Sequence, residues 1–314
     1  MSNKSKLGFL AIVAIVLTAI FVFIDLGSNW DYSLPRRLKK VYAIVLTGSV
    51  IAFSTLVFQT ITNNRILTPS IIGLDSLYLL IQTFLIFVFG SMSFAVTSAN
   101  INFMISVGLM VLFAGFLYKI LFRGEGQNIY FLLLVGIIFG TFFGSITQFM
   151  QVLIDPNEFL VVQDRMFASF NNVKTDLLLI ATVAVVLVTI YSARFIKYLD
   201  VLSLGKDQAV NLGVDYDYVV KRLLIIIAIL VSISTALVGP ITFLGLLVAN
   251  VAHQFLKTYQ HKYLIIGSIF ISIIALVGGQ LIVERVFTFE TTLSVIINFI
   301  GGIYFIYLLL KESK

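Results

Sequence analysis

The chain has no cysteine and only two histidines, His253 and His261. That removes disulfides, thiolate nucleophiles and any Cys/His cluster for zinc, haem iron or an iron–sulfur centre, so neither a resident metal nor a cofactor is expected. Charge is also scarce: 11% of residues are Asp, Glu, Lys or Arg, where a soluble domain carries about 25%. Proline occurs only at Pro35, Pro69, Pro156 and Pro240. No G-x-x-x-x-G-K-[ST] phosphate loop is present; the one Gly-Lys pair, Gly205-Lys206, lacks both the preceding glycine and the following hydroxyl. The chain therefore does not hydrolyse ATP in that manner. Its acids, loops and two histidines form no convergent constellation of acid, base and nucleophile, so it reads as a non-enzyme.

Apolar residues make up 60% of the 314, and mean hydropathy is +1.06. At about 20 residues per crossing, that is enough for roughly nine or ten spans. The expectation is an all-α integral membrane protein, multi-pass in the cell membrane, forming one transmembrane domain over 1–314. Spans are expected near 7–24, 41–60, 72–90, 100–121, 129–153, 176–193, 222–238, 241–256, 263–283 and 291–310, about ten in all. Lys4 and Lys6 precede the first, but no A-x-A pattern follows it, so it reads as a retained span. All four prolines fall in connections or at span edges, as the missing N–H demands.

Ten spans place both termini on one side. With that side as the cytoplasm, 14 of the 21 basic residues lie inside, as the positive-inside rule requires. The net charge of +6 then reflects basic loops against an anionic leaflet of the lipid bilayer, not nucleic-acid binding. The Arg36-Arg37-x-Lys39-Lys40 cluster falls outside and needs its own explanation.

Two connections are long and polar. Residues 154–175 read as an extracytoplasmic amphipathic excursion. Residues 194–221 lie inside; there Leu202, Gly205, Ala209, Leu212 and Gly213 fit one face of a short broken helix, either a solvated loop or a docking surface. Within the spans, ionisable groups are nearly absent. Asp75, near the start of the third, is either a coupling site for an ion-driven carrier or a cap suited to the helix dipole. Thr141, Ser145 and Gln148 share one helix face by their i, i+4, i+7 spacing. They serve either interhelical hydrogen bonds or a neutral pathway. Gly136, Gly140 and Gly144 form a small-xxx-small row beside them.

Three stretches carry a resemblance. The first is Ser33-Leu34-Pro35-Arg36 followed by Asn64-Arg65-Ile66-Leu67-Thr68-Pro69-Ser70-Ile71-Ile72-Gly73. The second is Leu204-Gly205-x-x-x-Ala209-x-x-Leu212-Gly213-Val214, and the third Gly239-Pro240-Ile241-Thr242-Phe243-Leu244-Gly245-Leu246. Together they resemble the FecCD-type permeases of ABC importers, with their "RLPR … NPLAxPxxLG", "LGxxxAxxLGV" and "GPIxFxGL" patterns, in order from residue 33 to 310. Arg65, Asp75, the pair Ala249-Asn250 and His253 depart from the family's usual residues. GLDSLYLL and the C-terminal TTLSVIINFIGGIYFIYLLLK look most like Gram-positive permeases for catecholate or mixed siderophores such as petrobactin.

The resemblance implies a type II ABC importer permease fold and an ATP-driven importer of a ferric siderophore, with haem or cobalamin as the alternative cargo in the same family. It implies a second permease subunit, identical or not, two cytoplasmic ATPases and an extracytoplasmic siderophore-binding (lipo)protein. Arg36 and Arg285 match rim positions that pair with acidic residues of the binding protein, and Arg37 adds a charge beside them. Asn64 and Ile66 match the cytoplasmic constriction, and Thr141, Ser145 and Gln148 fall near its companion. Leu204, Gly205, Ala209, Leu212 and Gly213 match the segment on which the ATPases dock.

Overall fold

A computed structural model describes residues 2–25, 29–121, 129–171, 173–289 and 291–312. Arg123 and Lys314, counted above on the cytoplasmic side, lie outside the described residues. In hydrocarbon every backbone N–H and C=O must be satisfied within its own segment, and the chain answers with helices alone among the described residues. These are α1 Asn3–Phe23, α2 Trp30–Thr62, a 3₁₀ turn Pro69–Ile72, α3 Leu74–Phe89, α4 Phe94–Thr97, α5 Ala99–Leu121, α6 Ile129–Leu153, α7 Pro156–Met166, α8 Thr175–Leu202, α9 Lys206–Asn211, α10 Tyr216–Val238, α11 Leu244–Leu256, α12 His261–Arg285 and α13 Leu293–Glu312.

Apolar helices occupy all ten expected positions, but only seven are long and apolar enough to cross a bilayer unaided: α1, α2, α5, α6, α8, α10 and α12. The apolar stretches of α3, α11 and α13 are shorter, so length and composition support seven of the ten expected spans. For α3 and α11 the cause is local. Each is preceded by an apolar stretch that is not α-helical, one entered through Pro69 at the head of the 3₁₀ turn and one through Pro240. A hydropathy run counts those residues as span, whereas the backbone spends them on an irregular approach.

Pro35 corrects the expected placement of the prolines, because it lies inside α2. At 1.5 Å per residue the 33 residues of α2 reach about 50 Å, well beyond a hydrocarbon core of about 30 Å. Pro35 falls in the exposed opening turns, where the carbonyl it leaves unpaired can be solvated.

The centre of the bundle is α2 and α10, in which 61% and 72% of the most apolar window is buried, against 22% for α1 and for α8. The outer helices turn the rest of their apolar surface outward, as a membrane requires. One of the three row glycines is required for close packing: a Cβ on Gly136 would lie 2.7 Å from the Ile71 carbonyl oxygen, whereas one on Gly140 would make an ordinary contact at 3.5 Å with Gly73 Cα and Gly144 faces open space. Gly73 itself has φ +87°, a left-handed turn that sends the chain from the 3₁₀ turn into α3. Between α3 and α5 the side-chain amides of Gln82 and Asn102 bond reciprocally at 3.1 and 3.2 Å, and Gln82 Nε2 also donates to Ser106 Oγ at 2.9 Å. This buried polar tie is worth about 1 kcal/mol per bond in a membrane.

Residues 156–166 form an amphipathic helix, α7, started by Pro156 and capped by Asp155 Oδ1, which accepts from Asn157 N at 2.8 Å. Glu158 on α7 also accepts from Ser91 N at 3.1 Å, fixing α7 over the end of α3. The alternation of the helices puts α7 at one end of the bundle and α9 at the other.

Candidate functional site

At the α9 end, α8 stops at Leu202, Gly205 turns the chain, and α9 runs for six residues before Asp215 Oδ1 caps α10 by accepting from Tyr218 N at 3.2 Å. Ala209 is fully buried against the bundle, whereas Leu204, Val210 and Leu212 are 56%, 50% and 63% exposed. Their neighbours Lys206, Asp207, Gln208 and Asn211 are exposed polar groups, so these apolar side chains stand on a polar surface with nothing to cover them among the described residues. Gly213 has φ +82° and open space where a Cβ would go. A Lys206–Asp217 ion pair at 3.6 Å ties α9 to α10.

Asn64 and Ile66 lie in the loop that leaves α2. Asn63 ends that helix in the left-handed region, and Asn64 Oδ1 accepts from Ile66 N at 2.9 Å. Gln59 Nε2 and Asn250 Nδ2 both donate to the Arg65 carbonyl, at 2.6 and 2.8 Å, so the loop is held from α2 and α11 together. A cavity of about 540 Å³ opens beside it, bounded by Asn64, Arg65, Leu204, His253 and His261. Thr141, Ser145 and Gln148 are not part of that wall. They are exposed on the far face of α6, where the two hydroxyls donate to the Ile137 and Thr141 carbonyls of their own helix, each at 2.9 Å. Among the described residues the row makes no interhelical hydrogen bond, one of its two readings, and the two candidate constriction sets do not meet.

The α7 end holds the arginines, and the structure divides them. Arg37 Nη1 donates to the carbonyls of Phe21 (3.3 Å), Val22 (3.0 Å) and Ile24, and its Nη2 to that of Asp25 at 3.2 Å. These include carbonyls that the end of α1 leaves without an intrahelical partner. Arg285 joins them, donating to Asp25 Oδ2 at 2.8 Å and to the Ile24 carbonyl at 3.2 Å. Lys40 pairs with Glu284 at 2.5 Å, both side chains largely buried. Arg36 alone of the three candidate rim arginines has no hydrogen bond or ion pair among the described residues; it is exposed, as Arg285 is, and stacks 4.8 Å over the Tyr32 ring. Much of the odd basic cluster is thus consumed inside the chain.

Asp75 sits in the first turn of α3, facing α10 across a void of only about 20 Å³. Thr235 Oγ1 donates to its Oδ1 at 3.3 Å, and Oδ2 is buried without a partner. Such a void holds one water, not a hydrated ion. Among the described residues no group of His, Asp or Glu is arranged to hold a metal.

A model of the FecCD transport family matches residues 7–311. The chain belongs to that family. A petrobactin import system permease protein, YclO, of Bacillus subtilis (strain 168) is 68% identical over 314 residues, spanning 100% of this chain and 99% of its own. The petrobactin import system permease protein FatC of Bacillus anthracis is 38% identical over 277 residues, 88% of this chain and 78% of its own. The solved structure of a metal-chelate type ABC transporter in an inward-facing conformation superimposes with a TM-score of 0.85 at 20% identity, covering 99% of this chain and all of that one. The fold is accordingly the all-α, multi-span membrane fold related to the type II ABC importer class. As a FecCD-family permease, the chain is a non-catalytic transport subunit of the membrane.

Proposed function

We propose that the chain is the permease subunit of an ATP-driven importer that carries a ferric siderophore of the petrobactin type into the cytoplasm. The identity of 68% over the full length with a petrobactin permease carries the reading. The family's uncharged route suits it, since a pathway without thiols and poor in imidazole does not compete with the chelator for Fe(III). In this reading the seven long helices and three shorter ones make ten crossings, both termini face the cytoplasm, and 1–314 is a single permease domain. The α9 end is the cytoplasmic coupling segment 194–221, and the α7 end the extracytoplasmic excursion 154–175. A second permease subunit completes the pathway along the α6 face bearing Thr141, Ser145 and Gln148, with Asn64 and Ile66 at the inner constriction. Two ATPases dock on the segment Leu204, Gly205, Leu212 and Gly213, with the buried Ala209 seating α9 on the bundle from beneath.

Loss of the gene should stop uptake of labelled ferric petrobactin while leaving haem and cobalamin uptake intact; unchanged petrobactin uptake would overturn the reading. The unpartnered Asp75 oxygen is the observation that favours a rival, an ion-coupled carrier. Asp75→Asn in the same assay should leave uptake within about twofold, because the amide keeps an acceptor for Thr235. Abolished uptake would favour the rival.

On the outer face, Arg36 is the unpaired arginine among the described residues and meets an acidic lobe of a binding protein, with Arg37 held by the end of α1 and the exposed Arg285 paired with Asp25 beside it. Arg36→Glu should slow association of the binding protein by about tenfold at low salt and much less at high salt, since an exposed charge governs encounter more than affinity. A salt-independent effect, or none, would remove Arg36 from the docking face. ATPase association, at the other end, should not change.

A further inference from the structure

His261, the first residue of α12, is 3% exposed and bonded on both sides of its ring. Nδ1 lies 2.6 Å from Asp200 Oδ1, and the His261 backbone N–H donates to the same oxygen at 2.8 Å. Nε2 lies 2.8 Å from Thr60 Oγ1. An ionised carboxylate only accepts, so Nδ1 carries a proton. The one Thr60 hydroxyl proton, which also lies within reach of the Leu56 carbonyl at 2.8 Å, goes to Nε2 when the ring is neutral; the hydroxyl accepts from Nε2 only when both ring nitrogens are protonated. The three residues come from three helices, 61 and 201 positions apart in the chain.

The two ends of this relay are the notable feature. Asp200 lies in the last turn of α8, and Ser203 Oγ donates to its carbonyl at 2.7 Å just ahead of α9. Thr60 lies in the last turn of α2; its neighbour Gln59 holds the Arg65 carbonyl, and Asn64 N donates to the Gln59 carbonyl at 3.1 Å. Between the α8 end and the 63–66 loop lies the 540 Å³ cavity, walled by Ser203 and Leu204 on one side and Asn64 and Arg65 on the other. An open cavity transmits no push. The imidazole is a rigid body that bridges its margin, and parting it from either partner leaves a buried ring nitrogen unpaired.

We infer that His261 is a positioning residue that carries displacement of the coupling segment to the constriction loop, through Asp200 on one side and Thr60 on the other. The inference rests on the ATP-driven reading above. It adds to that reading the physical link between the docking surface and the gate.

The test uses the complete importer in proteoliposomes, with binding protein loaded with ferric petrobactin, and measures iron accumulated per ATP hydrolysed. Thr60→Val, Asp200→Ala and His261→Leu should each lower that ratio by about five- to tenfold, within the range of measured couplings between sites, while ATP hydrolysis continues. Thr60→Ser keeps the hydroxyl facing Nε2 and Asp200→Asn keeps an acceptor for Nδ1, so each should return the ratio to within about twofold of wild type. The Thr60→Val/Asp200→Ala double variant should be no worse than the worse single one, because both break the same link. If His261→Leu does not assemble, the Thr60 and Asp200 variants decide. Unchanged ratios would overturn the inference, as would additive losses or parallel falls in uptake and hydrolysis, the mark of a merely structural contact. A wild-type importer that moves no ferric petrobactin would instead overturn the functional reading itself.

Discussion

Leu212→Asp is expected to abolish ATP-driven uptake while the membrane bundle still folds. Leu212 closes α9, is 63% exposed, and stands with Leu204 and Val210 on an otherwise polar surface. Little packing among the described residues is lost when it is replaced, so stability should hold. At a docking surface the case differs: an apolar anchor at the centre of an interface contributes about 2 kcal/mol or more, and a carboxylate there would also be buried without a partner. ATPase binding should fall by at least about thirtyfold, read by co-purification, and uptake should fall with it. Leu212 is a cleaner site than Gly213, whose φ of +82° would add backbone strain to any side chain. Co-purification and uptake at wild-type levels would show that α9 is only a connector.

Lys40→Ala should produce the largest loss of stability. Lys40 and Glu284 are 14% and 13% exposed and 2.5 Å apart, and Glu284 Oε1 also accepts from Gln280 Nε2 at 2.8 Å. Removing the ammonium leaves a largely buried carboxylate with one neutral donor, at a cost of about 3–5 kcal/mol. Lys40→Met combined with Glu284→Leu should recover most of it, since a well-packed apolar pair is often as stable as a buried ion pair. Thermal midpoints of the purified chain in detergent would check both. An unchanged midpoint for Lys40→Ala would mean that water reaches Glu284 and the pair contributes little.

The membrane class and the placing of ten apolar segments were legible in the sequence because they depend on composition summed over windows of about 20 residues. The way α3 and α11 begin was not, because Leu67, Ile71, Ile72 and Ile241 are as apolar in a turn as in a helix. Pro35 misled for a related reason: the rule against internal proline assumes a helix buried to its end, and α2 outruns the bilayer. The candidate site was legible in parts. The short broken helix at α9 was legible, but its single face of Leu202, Gly205, Ala209, Leu212 and Gly213 was not: Leu202 and Ala209 are buried while Leu212 and Gly213 are exposed. The roles of Arg37 and Arg285 did not show either, since both depend on the end of α1 folding back to them, and Asp25 carries no local sign of it. The pairing of His261 with Asp200 and Thr60 was not legible; a relay whose members are 61 and 201 residues apart exists only once three helices converge. A lone histidine at a span edge is the one cue that could have prompted a search for partners.

One peripheral element has a mechanical consequence. Near its start, α1 is fastened by Lys6 Nζ, which donates to the carbonyls of Phe255 and Leu256 at 2.8 and 3.2 Å; at its finish it is gripped by Arg37 and Arg285. Its 21 residues form a strut about 30 Å long, pinned at both tips. A helix cannot stretch without breaking its own ladder. The separation between the α11 terminus and the outer rim is therefore fixed by the length of α1, and any rearrangement of this flank must proceed by tilting the strut together with α12.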